Sequence, residues 1–112
     1  PYYDYAKHSL DFDAMMGSLK TAKKGDLVLL HGCCHNPCGA DLSVAQWEEV
    51  TELALKNGFT PFIDMAYQGL GDGLDEDAYG ARLMAEKLFY FYRRAFYANL
   101  PVLFPLNRSF GR

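Results

Sequence analysis

The chain has 112 residues, half of them hydrophobic, with 22% charged and a formal net charge of −3. That length suits one ordinary domain able to bury about two-thirds of its unfolded surface. The composition excludes a disordered chain, and the mild negative charge gives no global pull toward nucleic acid.

In chain order, the N-terminal PYYDYAKHSLDFD lacks a basic segment followed by an apolar one, so nothing indicates secretion. Ser9 to Phe12 reads as a strand and Asp13 to Ala22 as a short helix. Leu27-Val28-Leu29-Leu30 is a continuous apolar run between Gly25-Asp26 and Gly32, the pattern of a strand buried on both faces. Ser43 with Gln46 three residues later forms a capping box that opens a helix. Trp47, Val50 and Ala54 fall on one stripe of that helix, and Asn57-Gly58 end it. Phe59 to Ile63 is a second apolar run, in which Pro61 must sit at the start of the strand or at an edge.

Strand, helix, strand in that order predicts a right-handed βαβ unit, hence an α/β fold with a parallel sheet. The loop after the first strand and the segment after the second then meet at the carboxyl ends of the strands, where open α/β sheets bind ligands. Downstream, the acids of Leu70 to Asp77 are placed to cap a helix starting near Ala78, with Gly80 as its weak point. No run is long and apolar enough to span a bilayer.

The loop HGCCHNPCG holds three cysteines and two histidines in nine positions. A structural zinc site draws its ligands from separated pairs. Here all the candidates share one stretch and the adjacent Cys33 and Cys34 side chains diverge, so no metal is expected. The cysteines read as small buried hydrophobes beside a ligand loop, and reduced thiols fit a cytoplasmic protein. Asp64, directly after an apolar strand, is a helix cap, an ion-pair member or a group aimed at a ligand, with Tyr67 three residues on.

Together HGCCHNPCGADLSVAQW and FIDMAYQGLGDGLDEDAYGAR, within residues 1–87, resemble the middle of the aspartate and aromatic amino acid aminotransferases. These are fold-type I enzymes that use pyridoxal 5'-phosphate (PLP). The resemblance implies part of their mostly parallel-sheet large domain, a homodimer, and an amino acid and a 2-oxo acid as substrates. It implies no nucleic acid and no membrane as partners. It assigns Asp64 to the pyridine nitrogen of PLP, Asn36 and Tyr67 to its phenolic oxygen, and His31 and His35 to supporting positions. Cys38 stands where the family usually has threonine.

The family's Schiff-base lysine is expected soon after Arg82 in an S-x-S-K context, and none of Lys7, Lys20, Lys23, Lys24, Lys56 and Lys87 has it. No catalytic residue is therefore assigned, and the chain by itself is expected to be inactive. Residues 88–112 break from the pattern. Residues 1–87 hold seven Lys/Arg against fourteen Asp/Glu, a balance of −7, whereas 88–112 hold four Arg and no acid. Six of the nine residues from Phe89 to Tyr97 are aromatic. A frame-shifted or mis-spliced translation explains this tail best. The alternative is a non-catalytic fragment whose Arg/aromatic tail binds a partner or nucleic acid.

Overall fold

The computed structural model describes the backbone of residues 1–97 and the side chains of residues 1–88. The elements run β1 (Tyr3–Asp4), β2 (Ser9–Leu10), α1 (Phe12–Leu19), β3 (Leu27–His31), α2 (Val44–Asn57), β4 (Thr60–Asp64) and α3 (Tyr79–Tyr97). Among the described residues, no helix is long and apolar enough to cross a membrane.

β1 and β2 form a small antiparallel pair, with Tyr3 opposite Leu10. The second strand is shorter than its sequence suggests. The Asp11 carboxylate accepts from the Ala14 N–H at 2.9 Å, so Asp11 is a helix cap and α1 begins at Phe12. Met15 and Leu19, one turn apart, bury the inner stripe of α1.

The βαβ unit forms as expected. β3 and β4 are parallel neighbours, with Leu29 opposite Phe62 and His31 opposite Asp64. Ser43 Oγ accepts from the Gln46 N–H, and Gln46 Oε1 accepts from the Ser43 N–H at 2.9 Å, completing the capping box on α2. Gly58 ends α2 at φ 76°, a left-handed position that costs glycine little. Replacing Ser43 with alanine leaves an orphan N–H in the first turn. It is expected to cost about 1 kcal/mol, read as a lower midpoint in urea with unchanged slope.

The strands are covered on one face, not two. Val28, Leu30 and Ile63 pack into a core with Trp47, Val50 and Phe59. The alternate residues Leu27, Leu29 and Phe62 are 57–68% exposed. An unbroken apolar run suits a two-faced strand, and among the described residues the second cover is not supplied. His31 and Asp64 end the strands on this open face, by the two-residue alternation of the pleat. Pro61 lies one residue inside β4, tolerable where a strand keeps a free edge.

The acids before α3 do something other than cap it. The buried Asp77 carboxylate turns back to accept from the N–H groups of Gly69, Gly71 and Asp72 at 2.8–2.9 Å. These bonds fix the LGDG loop and hold the Asp77 carboxyl below the usual carboxylate range. Gly80 is buried against the Trp47 indole, where a Cβ would overlap ring atoms. α3 carries the backbone across 87/88 to Tyr97, so the first part of the 88–112 tail continues this helix, and residues 98–112 lie outside the described residues.

Candidate functional site

The site is assembled where β3 and β4 end. The Gly32 N–H donates to the Asp64 carbonyl at 2.8 Å, extending the parallel pairing one residue beyond the strands. A side chain at position 32 would run into Met65, so glycine permits this close approach. Cys34 Sγ then reaches the Tyr67 carbonyl at 4.0 Å. The loop after β3 and the segment after β4 are thereby side by side.

The loop is held by its own polar groups. The Asp41 carboxylate accepts from the N–H groups of Cys34 at 2.6 Å and His35 at 2.8 Å. Cys34 sits at φ 48°, so these two bonds hold a left-handed turn that a non-glycine residue rarely adopts. The Asn36 N–H donates to His31 Nδ1 at 3.3 Å. Cys38 Sγ lies 3.0 Å from His35 Nδ1.

Three rings form a column behind the loop. The Tyr2 ring stacks on His35 and His35 stacks on His31, each with centroids 4.2 Å apart. The Tyr2 hydroxyl donates to the Ala40 carbonyl at 2.5 Å. Burial, and secondarily the charge of His31, lowers the basicity of His35, so its ring is neutral at neutral pH. Burial, with the Cys38 and Asp41 charges, raises the Tyr2 phenol far above its ordinary value and keeps its proton in place.

Asn36, Asp64 and Tyr67 are all exposed at this end of the sheet. Asp64 Oδ1 accepts from the Ala66 N–H at 3.1 Å, which fixes the carboxylate without enclosing it. Among the described residues, the Asn36 amide and the Tyr67 hydroxyl have no protein hydrogen-bond partner (Tyr67 is 40% exposed). The structure brings the five residues singled out in the sequence to one end of β3 and β4. Tyr2, Asp41 and Asp77 were not singled out. Asp41 carried a weak local signal, an acid closing an NPCG turn, whereas Tyr2 reaches the loop only through tertiary contact.

The profile of the family "Aminotransferase class I and II" matches residues 1–97. This chain belongs to that family. It is 54% identical over 87 residues to an aromatic-amino-acid aminotransferase of Paracoccus denitrificans, covering 78% of this chain and 22% of the relative. It is 44% identical over 110 residues to an aspartate aminotransferase of Escherichia coli (strain K12), covering 98% of this chain and 26% of the relative. In structure it is similar to an aromatic-amino-acid aminotransferase from Burkholderia pseudomallei described as covalently bound to pyridoxal phosphate. There the TM-score is 0.75 at 44% identity, over 77% of this chain and 22% of that one. The α/β fold is thus that of the aminotransferases, and the chain spans about a quarter or less of the relatives' length.

Proposed function

We propose that this chain supplies the ring-binding part of a PLP-dependent aminotransferase that acts on aspartate or an aromatic amino acid with a 2-oxo acid acceptor. The observation that carries the proposal is the register of His31 opposite Asp64, with Gly32 bonded to Asp64 beyond it. That pairing brings the Asn36 loop beside Asp64 and Tyr67. The donor set fits the cofactor: one anchored carboxylate for a ring N–H, and an amide and a phenol for a ring oxygen. When bound, PLP supplies the electron sink that stabilises a carbanion at the substrate α-carbon.

This chain's residues act on the ring's two polar ends. Asp64 would hold a proton on the ring nitrogen through a charge-assisted hydrogen bond. The Tyr67 hydroxyl and the Asn36 amide would donate to the opposite oxygen and so orient the ring. His31 and His35 act indirectly. The Tyr2–His35–His31 column backs the loop, and His31 accepts from the Asn36 backbone. In the complete enzyme we place the parent protein in the cytoplasm as a homodimer; the free thiols of Cys33, Cys34 and Cys38 suit a reducing compartment.

No lysine of this chain stands in the required serine-rich context, so the purified chain is expected to show no aspartate:2-oxoglutarate turnover. It is expected to bind PLP reversibly. Asp64→Ala should weaken that binding about tenfold or more, the effect of losing a charged hydrogen bond of ~1.5–3 kcal/mol. Tyr67→Phe should weaken it less. Equilibrium dialysis against PLP measures both. Affinity indifferent to both substitutions would overturn the site, and turnover abolished by Asp64→Ala would overturn the expected inactivity.

A further inference from the structure

A second convergence forms where the Cys-Cys loop meets the segment before α3. The Sγ atoms of Cys33 and Cys34 and a carboxylate oxygen of Asp77 all lie within 4.8 Å of one another. The two adjacent cysteines therefore do not diverge, which removes one reason for excluding a metal here. Asp77 also brings a ligand from a second, distant segment. Cys33 is 5% exposed and Asp77 7%, yet both line a cavity of about 470 Å³. Asp41, Asp72, Asp75 and Glu76 line it too, and no Lys, Arg or His does.

We propose that Cys33, Cys34 and Asp77 form a binding site for a thiophilic divalent cation of the zinc class, with cavity water as the fourth ligand. Two sulfurs and one carboxylate oxygen suit a borderline-soft ion and disfavour magnesium or calcium. A tetrahedral ion with metal–sulfur bonds of about 2.3 Å holds its ligand atoms roughly 3.7 Å apart. The three atoms would close by about 1 Å or less from their observed limit, a change within side-chain rotation.

Binding the ion leaves the net charge of the site unchanged. Two neutral thiols and one carboxylate carry −1; on binding, each thiol gives its proton to solvent, and two thiolates, one carboxylate and the dication again sum to −1. Asp77 is already oriented by three backbone N–H groups, the kind of outer support that ligating carboxylates have. Its two oxygens offer about four lone pairs, so one remains for the ion. The surrounding acids raise the local cation concentration.

The test uses the full chain, reduced and stripped of metal, titrated with zinc against a chromophoric chelator. The expected result is one zinc per chain with release of about two protons. Cobalt in place of zinc should give thiolate-to-metal absorption. Cys33→Ser and Cys34→Ser should each weaken binding by at least ~10-fold, the smallest effect expected for a ligand given what outer partners contribute. Cys38→Ser should leave it unchanged. Cys34 is only partly buried, so its serine variant keeps the test valid where Cys33→Ser does not fold, as checked by circular dichroism. Absence of stoichiometric zinc overturns the proposal. So does zinc that is lost with Cys38→Ser and kept in the Cys33 and Cys34 variants, since that places the ion at Cys38 and His35.

Discussion

Replacing Trp47 with alanine is expected to lower the free energy of unfolding by about 3–5 kcal/mol, the cost of emptying a large aromatic site in a core. Trp47 is 3% exposed and packs in one cluster with Leu30 of β3, Val50 of α2 and Met84 of α3. It also receives the backbone of α3 directly at Gly80. One side chain thus holds the crossover helix to both the strand that leads to the site and the helix that follows it. A small domain has only about 5–15 kcal/mol in hand, so the loss takes a large share of the total. Trp47 is the sole tryptophan, so urea unfolding of the variant must be followed by far-UV circular dichroism, not by indole fluorescence. Val44→Ala is the control on the same helix. Val44 is 56% exposed, and its loss should stay within about 0.5 kcal/mol. A Trp47→Ala cost as small as the control's would mean that α2 and α3 are not packed together in solution.

The parts of this fold that were legible in sequence are those decided by local chemistry. Ser43 and Gln46 satisfy each other's backbone groups whatever surrounds them, and Gly58 takes a left-handed conformation that its neighbours could not take as cheaply. The order of apolar runs then forces the crossover, and the crossover forces the convergence at the strand ends. Asn36, Asp64 and Tyr67 needed more than this. Physics placed Asp64 and Tyr67 at a crevice, and the resemblance to a family gave each a role. The illegible parts share a non-local cause. Asp77 looked like a helix cap because it precedes a helix, and only the folded loop shows three N–H donors waiting for it on the other side. The same fold brings Asp77 to Cys33 and Cys34, so a ligand set read from HGCCHNPCG alone was missing the residue that completes it. The open face at Leu27, Leu29 and Phe62 is a matter of what else is present, which an apolar run cannot report.

Gly80→Ala should destabilise the chain by about 1–3 kcal/mol, against what helix propensity alone predicts. Glycine within a helix costs up to ~1 kcal/mol relative to alanine, so the substitution in an exposed helix would be a gain. At Gly80 the added methyl group meets the Trp47 indole, overlapping both carbons of the ring fusion and a neighbouring ring carbon. The indole is buried and cannot swing out, so α3 would have to retreat from α2 or the ring leave its rotamer, and either costs more than the propensity gain. The sign of the effect should therefore depend on the partner. In the Trp47→Ala background the overlap is gone and the new methyl group faces a cavity, so Gly80→Ala should become neutral or stabilising by up to ~1 kcal/mol. A thermodynamic cycle over the four chains, each unfolded in urea, reads that reversal as a coupling energy of about 1 kcal/mol or more. Additive effects would place the two helices too far apart for the indole and the glycine to touch. The reversal would show that the glycine exists for the tryptophan and that helix propensity was sacrificed to let α3 approach.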